Sequence, residues 1–302
     1  MPVLDFFKGL FPKKVKTRTV DSAVTAPLSD LQLQSIRALA QNHYEPIQFL
    51  VASGQSVGHQ RELNEDSLFT LTTSIAGNSG NLPFGLFIIA DGMGGHQFGE
   101  IASNTAIRSI SGYIMKKFHN SLFTLPTQPV DESLQEILQA AVTEAQRAVL
   151  KEAPGSGTTV TAALVLGQQL TIAQVGDSRG YLLYNEQRME AVTRDHSLVK
   201  RLEELGQITA AEAAVHPQRN VLYRAVGQGD TLEADVVTTP FPIGGYLLLC
   251  SDGLWGLVSD DEMRRIVYTA PNIQRACQEM VAAANAAGGP DNISVILVQL
   301  LG

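Results

Sequence analysis

Four short segments of this 302-residue chain share one layout, in which an apolar run meets a glycine-rich turn at an aspartate. Residues 84–90 lead into Asp91-Gly-Met-Gly-Gly95, residues 247–250 into Ser251-Asp252-Gly-Leu-Trp255, and residues 172–175 into Gly176-Asp177-Ser-Arg179. Gly289-Pro-Asp291-Asn292 stands immediately before the last apolar run. Such runs, closed by glycine, read as buried strands that deliver each aspartate to a sheet edge. Gathering unpaired carboxylates away from water is costly unless a cation neutralises them. Hard divalent ions with oxygen ligands meet that need, and Mg²⁺ or Mn²⁺ fits better than Zn²⁺ because His and Cys are absent from these stations. Asp-Gly also makes ordinary turns, so spacing shows that the four can converge and not that they do. A fifth segment, Gly58-His-Gln-Arg61-Glu-Leu-Asn-Glu65-Asp66, sets a cation beside two carboxylates ahead of another strand. Arg61 has the planar fork that grips a phosphate, and Glu65 or Asp66 can reach a metal or its water. A salt-bridged surface loop is the rival reading of that segment.

Residues that act together need elements that hold them. From residue 47 onward the pattern is strand-rich, with strands expected at 47–52, 67–72 and 84–90. Helices follow at 101–118 and 131–152, the second with Leu134, Ile137, Leu138, Ala141, Ala145 and Ala148 on one face. Residues 158–166 and 170–176 read as a hairpin across Gly167-Gln168, continued by strands at 180–184 and 188–192. After a polar helical insert at 197–214, strands return at 233–237 and 246–250, a helix pair spans 260–269 and 273–286, and 292–300 closes the chain. Runs of strands with pairs of long helices, rather than strict alternation, predict an α+β layered sandwich.

With 44% hydrophobic residues the chain can bury a large core. No run approaches the roughly 20 apolar residues of a spanning helix, and no cleavage site follows an apolar stretch at the N-terminus. Cys250 and Cys277 are too few for a disulfide framework. A cytoplasmic, reducing setting is therefore expected. Net charge is −8, although residues 1–20 hold five basic side chains and one acidic one. The acid excess of the remainder argues against nucleic acid as a partner. Residues 1–46 read as an N-terminal appendage with a helix at 28–40. Within residues 1–18, Phe6, Phe7, Leu10 and Phe11 beside Lys8, Lys13 and Lys14 suit a short helix on an anionic membrane, with a basic tail or a docked segment as alternatives.

Taken in order, Arg61 to Asp66, Asp91 to Gly95, Gly155-Ser-Gly-Thr-Thr159, Gly176 to Arg179, Ser251 to Trp255 and Gly289 to Asn292 resemble the successive motifs of the PPM (type 2C) protein phosphatases. Thr193-Arg-Asp-His-Ser197, His216-Pro-Gln-Arg-Asn220 and Arg224-Ala-Val-Gly227 resemble the flap region of the bacterial branch. The resemblance covers roughly residues 50–300 and implies a four-layer α-β-β-α sandwich over 47–302, with two central, mostly antiparallel sheets and a flap at about 195–220. It implies that Asp91 bridges two ions with the Gly92 carbonyl as a further ligand, that Asp252 and Asp291 hold the first ion, and that Glu65 or Asp66 serves the second. Asp177 matches the position of a weaker third ion, and Arg61 the phosphate-binding arginine. The implied activity is hydrolysis of phosphoserine and phosphothreonine on phosphorylated proteins by activated water, from a monomer opposing Ser/Thr kinases. Animal members carry His at the position of Met93, which has no proton to give, so the general acid is open; His59 and His96 lie beside motifs. A silent scaffold that binds phosphoproteins and a partner-switching phosphatase are the rival readings. The first would lose metal-ligand aspartates, and all are present here; the second usually brings a sensor domain.

Overall fold

Residues 84–90 are apolar without a break because both faces of the strand they form are covered. Phe84, Leu86, Ile88 and Ala90 pack towards helices, while Phe87 and Ile89 face a second sheet. The computed structural model describes residues 46–302 apart from 78–79, 94–97 and 125–129. The appendage expected at 1–46, with its helix and its membrane-lying stretch, falls up to residue 45 outside the described residues, as does His96.

The strands are β1 (Gln48–Ser56), β2 (Asp66–Gly77), β3 (Gly80–Met93), β4 (Gly157–Thr158), β5 (Val160–Leu166), β6 (Gln169–Val175), β7 (Arg179–Leu183), β8 (Met189–Ala191), β9 (Asp235–Pro240), β10 (Tyr246–Cys250) and β11 (Ile293–Leu301). One sheet runs β1-β11-β10-β7-β8 and the other β2-β3-β5-β6-β9, with β4 beside β3. Their pairings are antiparallel. Leu247, Leu249, Ile296 and Val298 meet Phe87, Ile89, Ala163 and Val165 between the sheets. Helices α1 (Gly99–Leu122) and α2 (Leu134–Glu152) cover the β3 side. A short turn of helix, α5 (Asp252–Trp255), precedes α6 (Asp260–Thr269) and α7 (Ile273–Ala286), which cover the other sheet. The expected α-β-β-α sandwich is the observed architecture.

Local chemistry explains the boundaries. Helix α2 starts at Leu134 rather than 131 because Ser133 and Glu136 form a reciprocal capping box. The insert expected as one helical stretch at 197–214 is two short helices, α3 (Leu198–Glu204) and α4 (Ala210–Ala214). Gly206 at φ +68° ends the first in the left-handed conformation glycine tolerates. Strand β9 lies later than the expected 233–237 and ends on Pro240, which an edge strand accommodates.

Candidate active site

Sheet order explains why the aspartates meet. Strands β3 and β6 both pair antiparallel with β5, so their C-terminal ends, carrying Asp91 and Asp177, open on the same edge. Strand β2 runs against β3, so its first residue, Asp66, stands opposite Asp91. In the second sheet β10 ends before Asp252 and its antiparallel neighbour β11 begins after Asp291, again at one edge. The two edges are tied by Ser251 Oγ, which donates to Asp66 Oδ2 at 2.8 Å and accepts the Ser294 N–H at 2.9 Å.

A cleft of about 480 Å³ opens there, lined by Arg61, Glu65, Asp91, Gly92, Asp177, Asp252 and Asp291, with Met93 and Thr159 beside them. Asp66 and Asp177 are each 6% exposed, while Asp91 and Asp252 keep part of their surface open to the cleft. Burial pushes the Asp66 carboxyl up to about 7 against hydrogen bonds from Ser294 and Ser251. Burial and repulsion from Asp291 push Asp252 up to about 6, offset in part by Asp91 and Arg61. Asp91 lies well above the usual carboxylate range through burial and repulsion from Asp66 and Asp252. Asp177 is raised likewise, by burial and Asp252. Among the described residues, Asp66 Oδ1 and Asp252 Oδ1 are buried with no hydrogen-bond partner. Paired or solvated carboxylates do not behave so; these oxygens lack a positive partner. No three His, Cys, Asp or Glu side chains among the described residues are closed into a ready-made ion cage; the acids instead ring the cleft. The donors are all oxygen, which suits hard divalent cations.

The backbone around them is tightly held. Asp91 N–H donates to Thr159 Oγ1 at 2.9 Å, and its carbonyl accepts the Thr159 N–H at 2.8 Å and Thr158 Oγ1 at 2.9 Å. Gly92 is glycine because two backbones touch: a Cβ there would lie 2.2 Å from the Gly99 carbonyl oxygen. Arg61 Nη2 donates to Asp291 Oδ2 at 2.8 Å, with the arginine side chain 46% exposed. Of the two histidines noted beside the motifs, His59 is exposed and its N–H donates to the Gly289 carbonyl at 2.6 Å.

Three positioning residues had no role assigned in the sequence reading. Asn292 accepts the Glu65 N–H at 2.8 Å, donates to the Val57 and Leu63 carbonyls at 2.9 Å, and donates its own N–H to Asp291 Oδ1 at 2.8 Å. It thereby fastens the Arg61 loop to the Asp291 station. Ser251 and Thr159 act on Asp66 and Asp91 as described. In the sequence, Asn292 and Ser251 stand beside an aspartate station and Thr159 ends the Gly155–Thr159 motif.

The flap leaves the sandwich through a paired neck. Leu198 N–H donates to the Val221 carbonyl at 2.8 Å and Tyr223 N–H to the His196 carbonyl at 2.9 Å. Asn220 and Leu222, on the returning side of that neck, line the cleft. Both cysteines lie away from it and are buried; burial raises the Cys250 thiol strongly and Cys277 to about 12. Neither offers a thiolate.

The chain matches the family model Protein phosphatase 2C over residues 51–293. The serine/threonine phosphatase Stp of Listeria monocytogenes is 37% identical over 248 residues, covering 80% of this chain and 92% of that protein. The crystal structure of the Mycobacterium tuberculosis serine/threonine phosphatase PstP/Ppp superposes with a TM-score of 0.70 at 32% identity, over 84% of this chain and 100% of that one. The catalytic domain of serine/threonine phosphatase PstP in complex with two manganese ions gives 0.68 at 30% identity, over 85% and 100%.

Proposed function

This chain belongs to the protein phosphatase 2C family and is a metal-dependent protein serine/threonine phosphatase, and from that premise we propose which of its residues do the work. The observation that carries the assignment is the ring of Asp91, Asp177, Asp252 and Asp291 around one cleft, with Asp66 buried opposite Asp91 and one buried oxygen each of Asp66 and Asp252 unpartnered. Asp91 and the Gly92 carbonyl would hold two divalent ions, with Asp252 and Asp291 completing the first site and Glu65 or Asp66 the second. Asp177 would hold a weaker third. Mn²⁺ or Mg²⁺ fits this oxygen set, and the manganese-bound PstP domain supports two such ions.

When bound, the ions supply a water acidic enough to attack phosphorus near neutral pH and positive charge against the phosphoryl oxygens. The protein contributes placement. Thr158 and Thr159 fix the Asp91 backbone, so its carboxylate is pre-aimed rather than ordered at the moment of reaction. Arg61 commits one N–H to Asp291 and retains a forked guanidinium at the cleft to hold phosphate oxygens. Asn220 and Leu222 bring the flap to the cleft, where it gates a phosphorylated segment of a protein substrate. Met93 lines the same cleft without a proton to transfer, so the leaving serine or threonine oxygen takes its proton from another group. Neither cysteine can serve as a thiolate nucleophile, and attack by water needs no covalent phosphoenzyme. The same reading takes the enzyme as a cytoplasmic monomer; no helix among the described residues is long and apolar enough to cross a membrane.

Asp91→Ala is expected to abolish hydrolysis of p-nitrophenyl phosphate, and Asp252→Ala to do the same, while circular dichroism and cooperative unfolding stay intact. Both remove ion ligands and no core packing. Wild-type turnover persisting in excess EDTA would sink the assignment.

A further inference from the structure

The flap neck and the Asp177 turn meet at one residue that the reaction scheme leaves unused. His196 is 1% exposed, at the point where the chain leaves the sandwich for the flap. Its backbone N–H donates to the Gly176 carbonyl at 2.8 Å, and its ring Nδ1 accepts the Gly176 N–H at 3.1 Å, so both polar groups of Gly176 end on the same histidine. An Nδ1 that accepts leaves the proton on Nε2, which lies 3.2 Å from Asp235 Oδ2 on β9. Arg224 Nη1 closes this corner at 2.6 Å from Asp235 Oδ1. The His196 carbonyl accepts the Tyr223 N–H at 2.9 Å, and the Tyr223 ring packs 5.6 Å from the imidazole, centroid to centroid. Gly176 adopts φ +96°, and a Cβ there would sit 2.6 Å from Thr159 Cγ2. The turn carrying Asp177 is thus wedged against the threonine that holds Asp91; Gln174 Nε2 donates to the Gly176 carbonyl at 3.0 Å and Trp255 Nε1 to the Asp177 carbonyl at 2.9 Å, while His196 is the contact that joins the turn to the flap neck.

We propose that His196 is a positioning residue that sets the Gly176–Asp177 turn and ties its orientation to the flap neck, so that the placement of the Asp177 carboxylate depends on how the flap is seated. This rests on the reading of Asp177 as an ion ligand. A residue that orients a ligand through a hydrogen bond acts on turnover without touching substrate, and its loss costs about 10–100-fold in affinity or activity.

The two ring nitrogens can be separated by substitution. His196→Asn keeps an acceptor where Nδ1 faces Gly176 and gives up Asp235; His196→Gln keeps a donor where Nε2 faces Asp235 and gives up Gly176. Turnover of p-nitrophenyl phosphate at saturating Mn²⁺ and hydrogen exchange of the Gly176 amide in the metal-free full chain are measured for both. For His196→Gln, kcat is expected to fall about tenfold with KM nearly unchanged, and the Gly176 amide to exchange about tenfold faster. His196→Asn should keep the slow amide and recover most of the kcat. Equal losses in the two variants, or an unchanged Gly176 amide in His196→Gln, would show that the ring acts only as packing and overturn the proposal. Asp177→Ala is run alongside: wild-type turnover there overturns the ligand reading itself, a failure the amide data do not produce.

Discussion

Two groups of buried aspartates sit at the same edge of this molecule and are treated in opposite ways. Asp195, whose side chain is 8% exposed, is fully paired. Arg179 grips it through Nε to Oδ1 at 3.0 Å and Nη2 to Oδ2 at 2.7 Å, stacks 3.5 Å over Trp255, and donates to the Tyr181 hydroxyl at 3.2 Å. Strand register places Arg179 opposite Cys250, two residues before Asp252. Yet Asp252 and Asp66 each keep a buried oxygen without a partner, and both are pushed up towards neutrality. Where a carboxylate serves the frame, the chain supplies an arginine. At Asp66 and Asp252 no fixed cation reaches the buried oxygen, which leaves room for the ion proposed there, and Arg61 is given instead to the more open Asp291.

The sharpest way to break that contrast is to remove charge from each side. Arg179→Met leaves Asp195 buried and unpaired, and should cost about 3–5 kcal/mol of stability in urea unfolding. Asp252→Asn relieves repulsion, so the metal-free protein should unfold no earlier than wild type, while the rise in melting temperature that Mn²⁺ gives the wild type should be lost. If Asp252→Asn proved as destabilising as Arg179→Met, the two groups would be alike and the contrast wrong.

A smaller effect should appear with pH. Asp66 at about 7 and Asp252 at about 6 are raised above the ordinary value of 3.8, so the folded metal-free protein binds more protons than the unfolded chain across that window. That contribution is fully present below the ordinary value and is lost as pH rises through about 6 to 7. Metal-free stability should therefore fall between these limits. Mn²⁺ has to displace the same protons, so its affinity by calorimetry should rise about tenfold for each proton displaced per pH unit. An affinity flat from pH 6 to 8 would show that these carboxylates are not the ligands. The smallest change is expected from Ser251→Ala, which removes the donor to Asp66 Oδ2 and the acceptor of the Ser294 N–H, costing about 1 kcal/mol. It should also move the pH midpoint for Mn²⁺ binding upward, since Asp66 loses a bond that favours its charged form.

Much of this was legible in the chain by itself. Unbroken apolar runs at 84–90 and 247–250 announce strands covered on both faces, and glycine after each aspartate announces the turn at their ends. Ser133 with Glu136 and Gly206 set helix boundaries that a periodic pattern alone placed a few residues away. These are signals that act over a handful of residues, so a linear reading captures them.

What the chain did not disclose is which ends share an edge and which polar groups meet there. Ser251 reaches Asp66 across 185 residues and Arg61 reaches Asp291 across 230. Sheet order and the packing of one sheet on the other decide those encounters, since antiparallel neighbours bring alternate strand ends together and the inter-sheet core fixes their depth. The difference between a carboxylate answered by Arg179 and one left open arises only there. Both are an aspartate beside a turn in the sequence, and only the fold determines how much water and what charge each one sees.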